Sequence, residues 1–227
     1  IIDSLPYWEK AFKEVYAGIT DGEYGTVVMI KWGNYLAEAW KYTLDIKGIK
    51  TDYKIKDLVI KTQNAYLEIF KQAPLEPRDG FWDLIYELRE KKKFKLALVS
   101  NSNRAVVNNV ADIIGIRENV FNYTITGDEV KKRKPHPDIY IKALKDMSLK
   151  SSEVLVFEDT VTGAEAANKA GLDLIIIWDG IINEREYPGN IFTFLPDFSG
   201  LPGNLDQDFF EAAKQRLEEL ENENTTN

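Results

Sequence analysis

The stretch Val154–Ala167, VLVFEDTVTGAEAA, constrains this chain more than any other. Val154, Leu155, Val156 and Phe157 form an unbroken apolar run, too short for a helix and typical of a strand buried on both faces. Two acids, Glu158 and Asp159, follow at once. Thr160 then offers a helix cap, and Ala164, Ala167 and Ala170 recur at helical spacing up to a stop near Gly171. Such a strand belongs in a parallel sheet, and its carboxyl end is where open α/β sheets gather their ligands. As a plain turn, the pair would be solvated, with Asp159 capping the helix. As a site, it would hold a hard cation such as Mg2+, which prefers oxygen ligands and keeps several waters.

Read in order, the chain changes character once. Ile1-Ile2-Asp3-Ser4-Leu5-Pro6 leads into a helix start, with Asp3 or Ser4 as cap and Pro6 in the first turn. Trp8, Phe12 and Val15 or Tyr16 form an apolar stripe at helical spacing. Helices are expected over Val27–Tyr42 and Lys56–Phe70, punctuated by Gly18, Gly22, Gly25 and Gly48. This first third reads as a small helical bundle, in which Trp32, Tyr35 and Trp40 are core residues before they are ligand platforms. The turn-rich Pro74–Gly80 is the candidate domain boundary. Beyond it helix and strand alternate: a helix over Phe81–Lys91, a strand over Phe94–Val99, a helix over Arg104–Ile114 and a short strand over Tyr123–Thr126. A helix from Pro137 to Met147, the pivotal strand and helix, and strands over Leu172–Trp178 and Ile191–Leu195 complete a βαβ pattern. Asp206–Glu221 has the apolar face of a terminal amphipathic helix.

Composition removes whole classes of function. A net charge of -8 over 227 residues, with no long basic run, opposes binding to nucleic acid. The absence of cysteine rules out disulfides, thiolate metal sites and a cysteine nucleophile. One histidine excludes mechanisms that need two. No apolar run is long enough to span a bilayer and no basic-then-apolar leader is present, so a cytoplasmic, monomeric protein without a membrane partner is expected.

Three features fall at or just beyond carboxyl ends of expected strands of one parallel sheet. Ser100-Asn101 ends the first strand at a helix start, where a hydroxyl and backbone N–H groups can cap the helix or hold an anion such as phosphate. Lys134 closes the basic run Lys131-Lys132-Arg133-Lys134 and stands before Pro135-His136-Pro137, which restricts the backbone enough to aim one ammonium inward. Lys131, Lys132 and Arg133 are expected to face solvent. Glu158-Asp159 is the third feature. Together, hydroxyl, cation and paired acids describe Mg2+-assisted phosphoryl transfer.

On these residues the chain resembles the haloacid dehalogenase superfamily. Val99-Ser100-Asn101-Ser102, Lys134-Pro135-His136-Pro137-Asp138 and Phe157-Glu158-Asp159-Thr160 with Gly163 look like its second, third and fourth motifs. The wording is closest to the β-phosphoglucomutase-like branch, and Thr126–Val130 and Asp138-Ile139-Tyr140 match that pattern too. The resemblance implies an α/β fold: a Rossmann-like parallel-sheet core with an inserted, small α-helical cap domain. Residues 1–4 would be the tail of the first motif, 5–75 the cap, 76–205 the catalytic core and 206–227 a C-terminal helix and tail. It further implies Mg2+ and an aspartyl-phosphate intermediate. Ser100, Asn101 and Lys134 would bind the phosphoryl group, with Ser100 and Lys134 the catalytic residues present. Asp159, assisted by Glu158, would hold the metal.

The family's first motif, Asp-x-Asp-Gly, carries the nucleophile and the acid/base; it does not occur in this sequence. The motif is expected just upstream of Ile1, because Ile1–Ser4 resembles the tail that follows it and the sheet needs its middle strand. The expected function is a Mg2+-dependent phosphatase of a small phosphorylated metabolite, plausibly a sugar phosphate, with substrate choice in Leu5–Gln72. A phosphomutase of the β-phosphoglucomutase type and a phosphometabolite-binding protein without turnover are the alternatives.

Overall fold

A computed structural model of the chain describes residues 1–20, 36–188, 191–201, 203 and 205. These form two compact units, one of the described residues within 1–76 and 105–117, the other of those within 77–104 and 118–205.

In the first unit, α1 (Leu5–Thr20), α2 (Leu36–Lys47) and α3 (Ile55–Gln72) are amphipathic helices that bury one stripe each. On α3 the stripe is Leu58, Thr62, Tyr66 and Phe70, every fourth residue and all buried. Phe12 stacks on Trp40 with ring centroids 4.0 Å apart, and Trp8 stacks on Tyr66 at 3.7 Å. The Trp40 indole N–H donates to Thr62 Oγ1 at 2.9 Å, and the Thr62 hydroxyl donates to the Leu58 carbonyl at 2.8 Å. Trp40 is therefore a core residue with its polar edge satisfied, unavailable to a ligand. Of the helix expected over Val27–Tyr42, residues 27–35 lie outside the described residues, Trp32 and Tyr35 among them. The described part runs on to Lys47, where Gly48 takes a left-handed φ of 62°. Almost all of α5 (Arg104–Ile113) also belongs to this unit.

The second unit opens with α4 (Phe81–Tyr86), which widens into a π turn over Glu87–Lys91. Gly80 precedes it with φ 75°, and a Cβ there would collide with the backbone at Phe198–Ser199, so both conformation and space require glycine. The strands β1 (Ala97–Ser100), β2 (Tyr123–Thr126), β3 (Leu155–Glu158), β4 (Asp173–Ile177) and β5 (Ile191–Leu195) are all parallel to their neighbours. The helices α6 (Asp138–Met147) and α7 (Val161–Lys169) connect them. Leu174, Ile175, Ile176 and Ile177 of β4 are all buried, as an unbroken apolar strand requires. Ala164, Ala166 and Ala167 are fully buried, small enough for α7 to lie close against the sheet, where Val156, Leu174 and Ile176 join the same core cluster.

Two expectations need correction. The strand expected from Phe94 begins at Ala97, because the chain is still turning: Lys93 has φ 59°, Phe94 N–H donates back to the Leu88 carbonyl at 2.8 Å, and Phe94 is 51% exposed. The strands also form two ladders among the described residues, β1–β2 and β3–β4–β5, where a single sheet was expected. One side of β1 and one side of β3 consequently have no ladder partner among the described residues. No described helix is long and apolar enough to cross a membrane.

Candidate active site

The carboxyl ends of β1 and β3 carry the expected residues, and Lys134 joins them. Its ammonium donates to the Val99 carbonyl of β1 at 3.1 Å and forms an ion pair with Glu158 at the end of β3. Lys134 is only 4% exposed and Glu158 8%, so this is a buried pair spanning the two ladders. Burial alone would raise the Glu158 carboxyl, but the ammonium in contact with it prevails and holds it below the usual carboxylate range.

The loop that delivers Lys134 is tightly held. The peptide between Lys134 and Pro135 is cis, and His136 N–H donates to the Arg133 carbonyl at 2.9 Å. Asn101, also buried, grips the Lys134 backbone at both its polar atoms. Its amide oxygen accepts from Lys134 N–H at 3.0 Å, and its amide nitrogen donates to the Lys134 carbonyl at 3.2 Å. The side chain of Asn101 thus places Lys134, which leaves the backbone N–H of Asn101 as the phosphate-binding group proposed for that residue. Ser100 ends β1 half-buried, its Oγ accepting from Ser102 N–H at 3.2 Å. Lys131 and Lys132 are exposed, whereas Arg133, expected in solvent, is half-buried: its Nε donates to the Gly127 carbonyl at 2.9 Å. A Cβ on Gly127 would in turn strike the Asn101 carbonyl, so this turn closes only with glycine.

Glu158 is the last residue of β3 rather than part of the turn, and it is the hub of the site. Lys134 and the Tyr140 hydroxyl both donate to its Oε1. Its Oε2 accepts from Asp159 N–H and the Thr160 hydroxyl, each at 3.3 Å. The ring of Tyr140 also lies 4.9 Å from the Lys134 ammonium, within cation–π range. Burial, followed by the charge of Glu158, keeps the Tyr140 phenol protonated well above its usual range. The sequence singled out Tyr140 only as part of the matching Asp138-Ile139-Tyr140; its bond to Glu158 was not legible there.

The Glu158 carboxylate occupies the space above Gly163, in the first turn of α7, where any Cβ would collide with it. Thr160 Oγ1 caps that turn by accepting from Gly163 N–H at 3.0 Å. Replacement of Gly163 by alanine is expected to destabilise the protein by about 1–3 kcal/mol through overpacking, read as a lower denaturant midpoint at unchanged slope. An unchanged midpoint would mean that the carboxylate can move aside freely.

Asp159 behaves differently from its neighbour. It is exposed, at the mouth of the β3–α7 junction. Protein atoms crowded about it and then the negative charge of Glu158 push its carboxyl above the usual range. Since the residue still reaches solvent, the like-charged neighbour is the cause that weighs most. Its backbone carbonyl accepts from the Tyr187 hydroxyl at 2.9 Å. Adjacent hard oxygen donors could hold Mg2+, Asp159 as a ligand and Glu158 by orienting it. Among the described residues no group of three or more His, Cys, Asp or Glu gathers, so water and substrate oxygens would complete the shell.

Comparison with known proteins identifies the family of the chain. Residues 1–171 match the family model of haloacid dehalogenase-like hydrolases. A haloacid dehalogenase-like hydrolase domain-containing protein of Arabidopsis thaliana is 34% identical over 140 residues, 60% of this chain and 43% of that protein. The phosphorylated carbohydrates phosphatase of Thermotoga maritima is 30% identical over 132 residues, 58% of this chain and 57% of that enzyme. The chain thus spans about half the length of these curated relatives. The crystal structure of CbbY from Rhodobacter sphaeroides in complex with phosphate superposes with a TM-score of 0.76 at 21% identity, over 88% of this chain and 91% of that one. At that identity the likeness is one of fold.

Proposed function

This chain belongs to the haloacid dehalogenase-like hydrolases, and on that premise we propose that it is a Mg2+-dependent phosphatase of a small phosphorylated metabolite of the sugar-phosphate class. The observation that carries the reading is the buried Lys134 ammonium, held between the Val99 carbonyl of β1, the residue before Ser100, and the carboxylate of Glu158, the residue before Asp159.

In this reading the Ser100 hydroxyl and the Asn101 backbone N–H receive the phosphoryl oxygens and fix their orientation. Lys134 offsets the charge that grows on those oxygens in the transition state, from a site where little water screens it. Asp159, oriented by Glu158, would hold the metal, which would supply Lewis-acid chemistry at the phosphoryl group. The reading needs a nucleophilic carboxylate in addition to these residues, to carry the aspartyl-phosphate. Residues 5–75 are assigned the part of the cap domain and the choice of substrate.

The test is release of inorganic phosphate from a panel of sugar phosphates by the full-length protein. Release is expected with Mg2+ and its loss on chelation, with recovery when Mg2+ is restored. Isomerised product without free phosphate would identify a phosphomutase instead. Substrate binding with neither outcome would overturn the enzymatic reading in favour of a binding protein.

A further inference from the structure

We infer that Tyr187, a residue outside every motif of the site, positions Asp159 for the metal through its hydrogen bond to the Asp159 carbonyl. The inference rests on the proposed role of Asp159 and extends it to a residue on another element.

Asp159 lies where regular structure gives its backbone nothing. The ladder between β3 and β4 ends with Glu158 opposite Ile176, and the first helical bond of α7 runs from Ala164 N–H to the Thr160 carbonyl. The residue between must find partners elsewhere for its N–H and C=O. Its N–H donates to the Glu158 carboxylate at 3.3 Å, and its carbonyl accepts from the Tyr187 hydroxyl at 2.9 Å. The first bond is long and runs to the preceding residue, so it holds the peptide loosely. The second comes from the β4–β5 connection, 28 residues away in sequence.

The donor is itself anchored. Tyr187 is 7% exposed and belongs to the main core cluster. Its N–H donates to the Glu184 carbonyl at 3.0 Å, closing a 3-10 turn that Asn183 caps through Arg185 N–H. Its ring meets Phe194 of β5 edge-on, 5.5 Å between centroids. A phenol packed this way holds its oxygen at one point, so the peptide after Asp159 takes one orientation and the carboxylate starts from a fixed backbone. Metal sites are sensitive to such support: losing an outer partner costs about 10–100-fold in affinity.

Tyr187→Phe removes only the hydroxyl oxygen and keeps the ring against Phe194. The readout is binding of Mn2+ to the full-length protein without substrate, followed by water proton relaxation, together with kcat and KM for a turned-over phosphate ester. The expected result is a dissociation constant for Mn2+ raised about tenfold, a similar rise in the Mg2+ concentration for half-maximal turnover, and a KM for the ester within about twofold of the wild type. A tyrosine that merely packs would leave Mn2+ binding within twofold of wild type, and that result overturns the inference alone. If the wild-type protein takes up no Mn2+, the metal reading of Asp159 fails, and this inference with it.

Discussion

Asparagine at position 159 is expected to lower Mg2+-dependent phosphate release about a thousandfold or more, while the protein stays folded. Asp159 is exposed, and the substitution keeps the shape of the side chain while removing its charge. Little stability is expected to be lost, because burial and the charge of Glu158 together outweigh the attraction of nearby cations and push this carboxyl above the usual range. Relief of this repulsion should leave the melting temperature unchanged or slightly higher. A cation that retains most of its waters is held chiefly by the negative charge of few protein ligands, so neutralising one of them removes most of the binding. Substantial turnover by Asp159→Asn at saturating Mg2+ would remove Asp159 from the metal site.

Replacement of Lys134 should fail in another way. Lys134→Met fills similar volume but leaves Glu158 buried at 8% exposure without its cation. Breaking a buried pair from one side costs about 3–5 kcal/mol, so a clear loss of stability is expected alongside a fall in turnover of about a hundredfold or more. The two effects separate in the double variant Lys134→Met/Glu158→Gln. Removing the orphaned charge should restore much of the stability, and activity should stay lost. Lys132→Ala, on an exposed side chain two residues away, is expected to change turnover less than about twofold. Equal losses in Lys132→Ala and Lys134→Met would show that the basic run acts through its summed field and that the buried ammonium has no separate part.

The two variants divide the site by its physics. Asp159 is open to solvent and crowded by like charge, which favours taking up a cation. Lys134 and Glu158 are closed and mutually neutralised, which favours rigidity. Asn101 and Tyr140 support the closed part, one by gripping the Lys134 backbone and the other by donating to Glu158 beneath the ammonium. Tyr187 supports the open part.

Periodicity and local chemistry were enough for the elements themselves. The apolar run ending in Phe157, the Thr160 cap and the alanines of α7 can be read without a fold, because strand, cap and helix are decided by residues within a few positions of one another. The inward aim of Lys134 was legible for the same reason, since the prolines around it restrict the backbone locally. What the sequence could not reveal is how polar groups distant along the chain satisfy one another. Nothing local says that Asn101 spends its amide on Lys134, that Glu158 fills the space above Gly163, that Arg133 turns in to the Gly127 carbonyl, or that a tyrosine beyond β4 holds Asp159. Those pairings exist because burial strips each group of water and leaves it only the partner that tertiary packing brings within about 3 Å. Sequence determined which side chains stand at the strand ends; tertiary structure alone decided which of them is buried and paired, as Glu158 is, and which remains open to a cation, as Asp159 does.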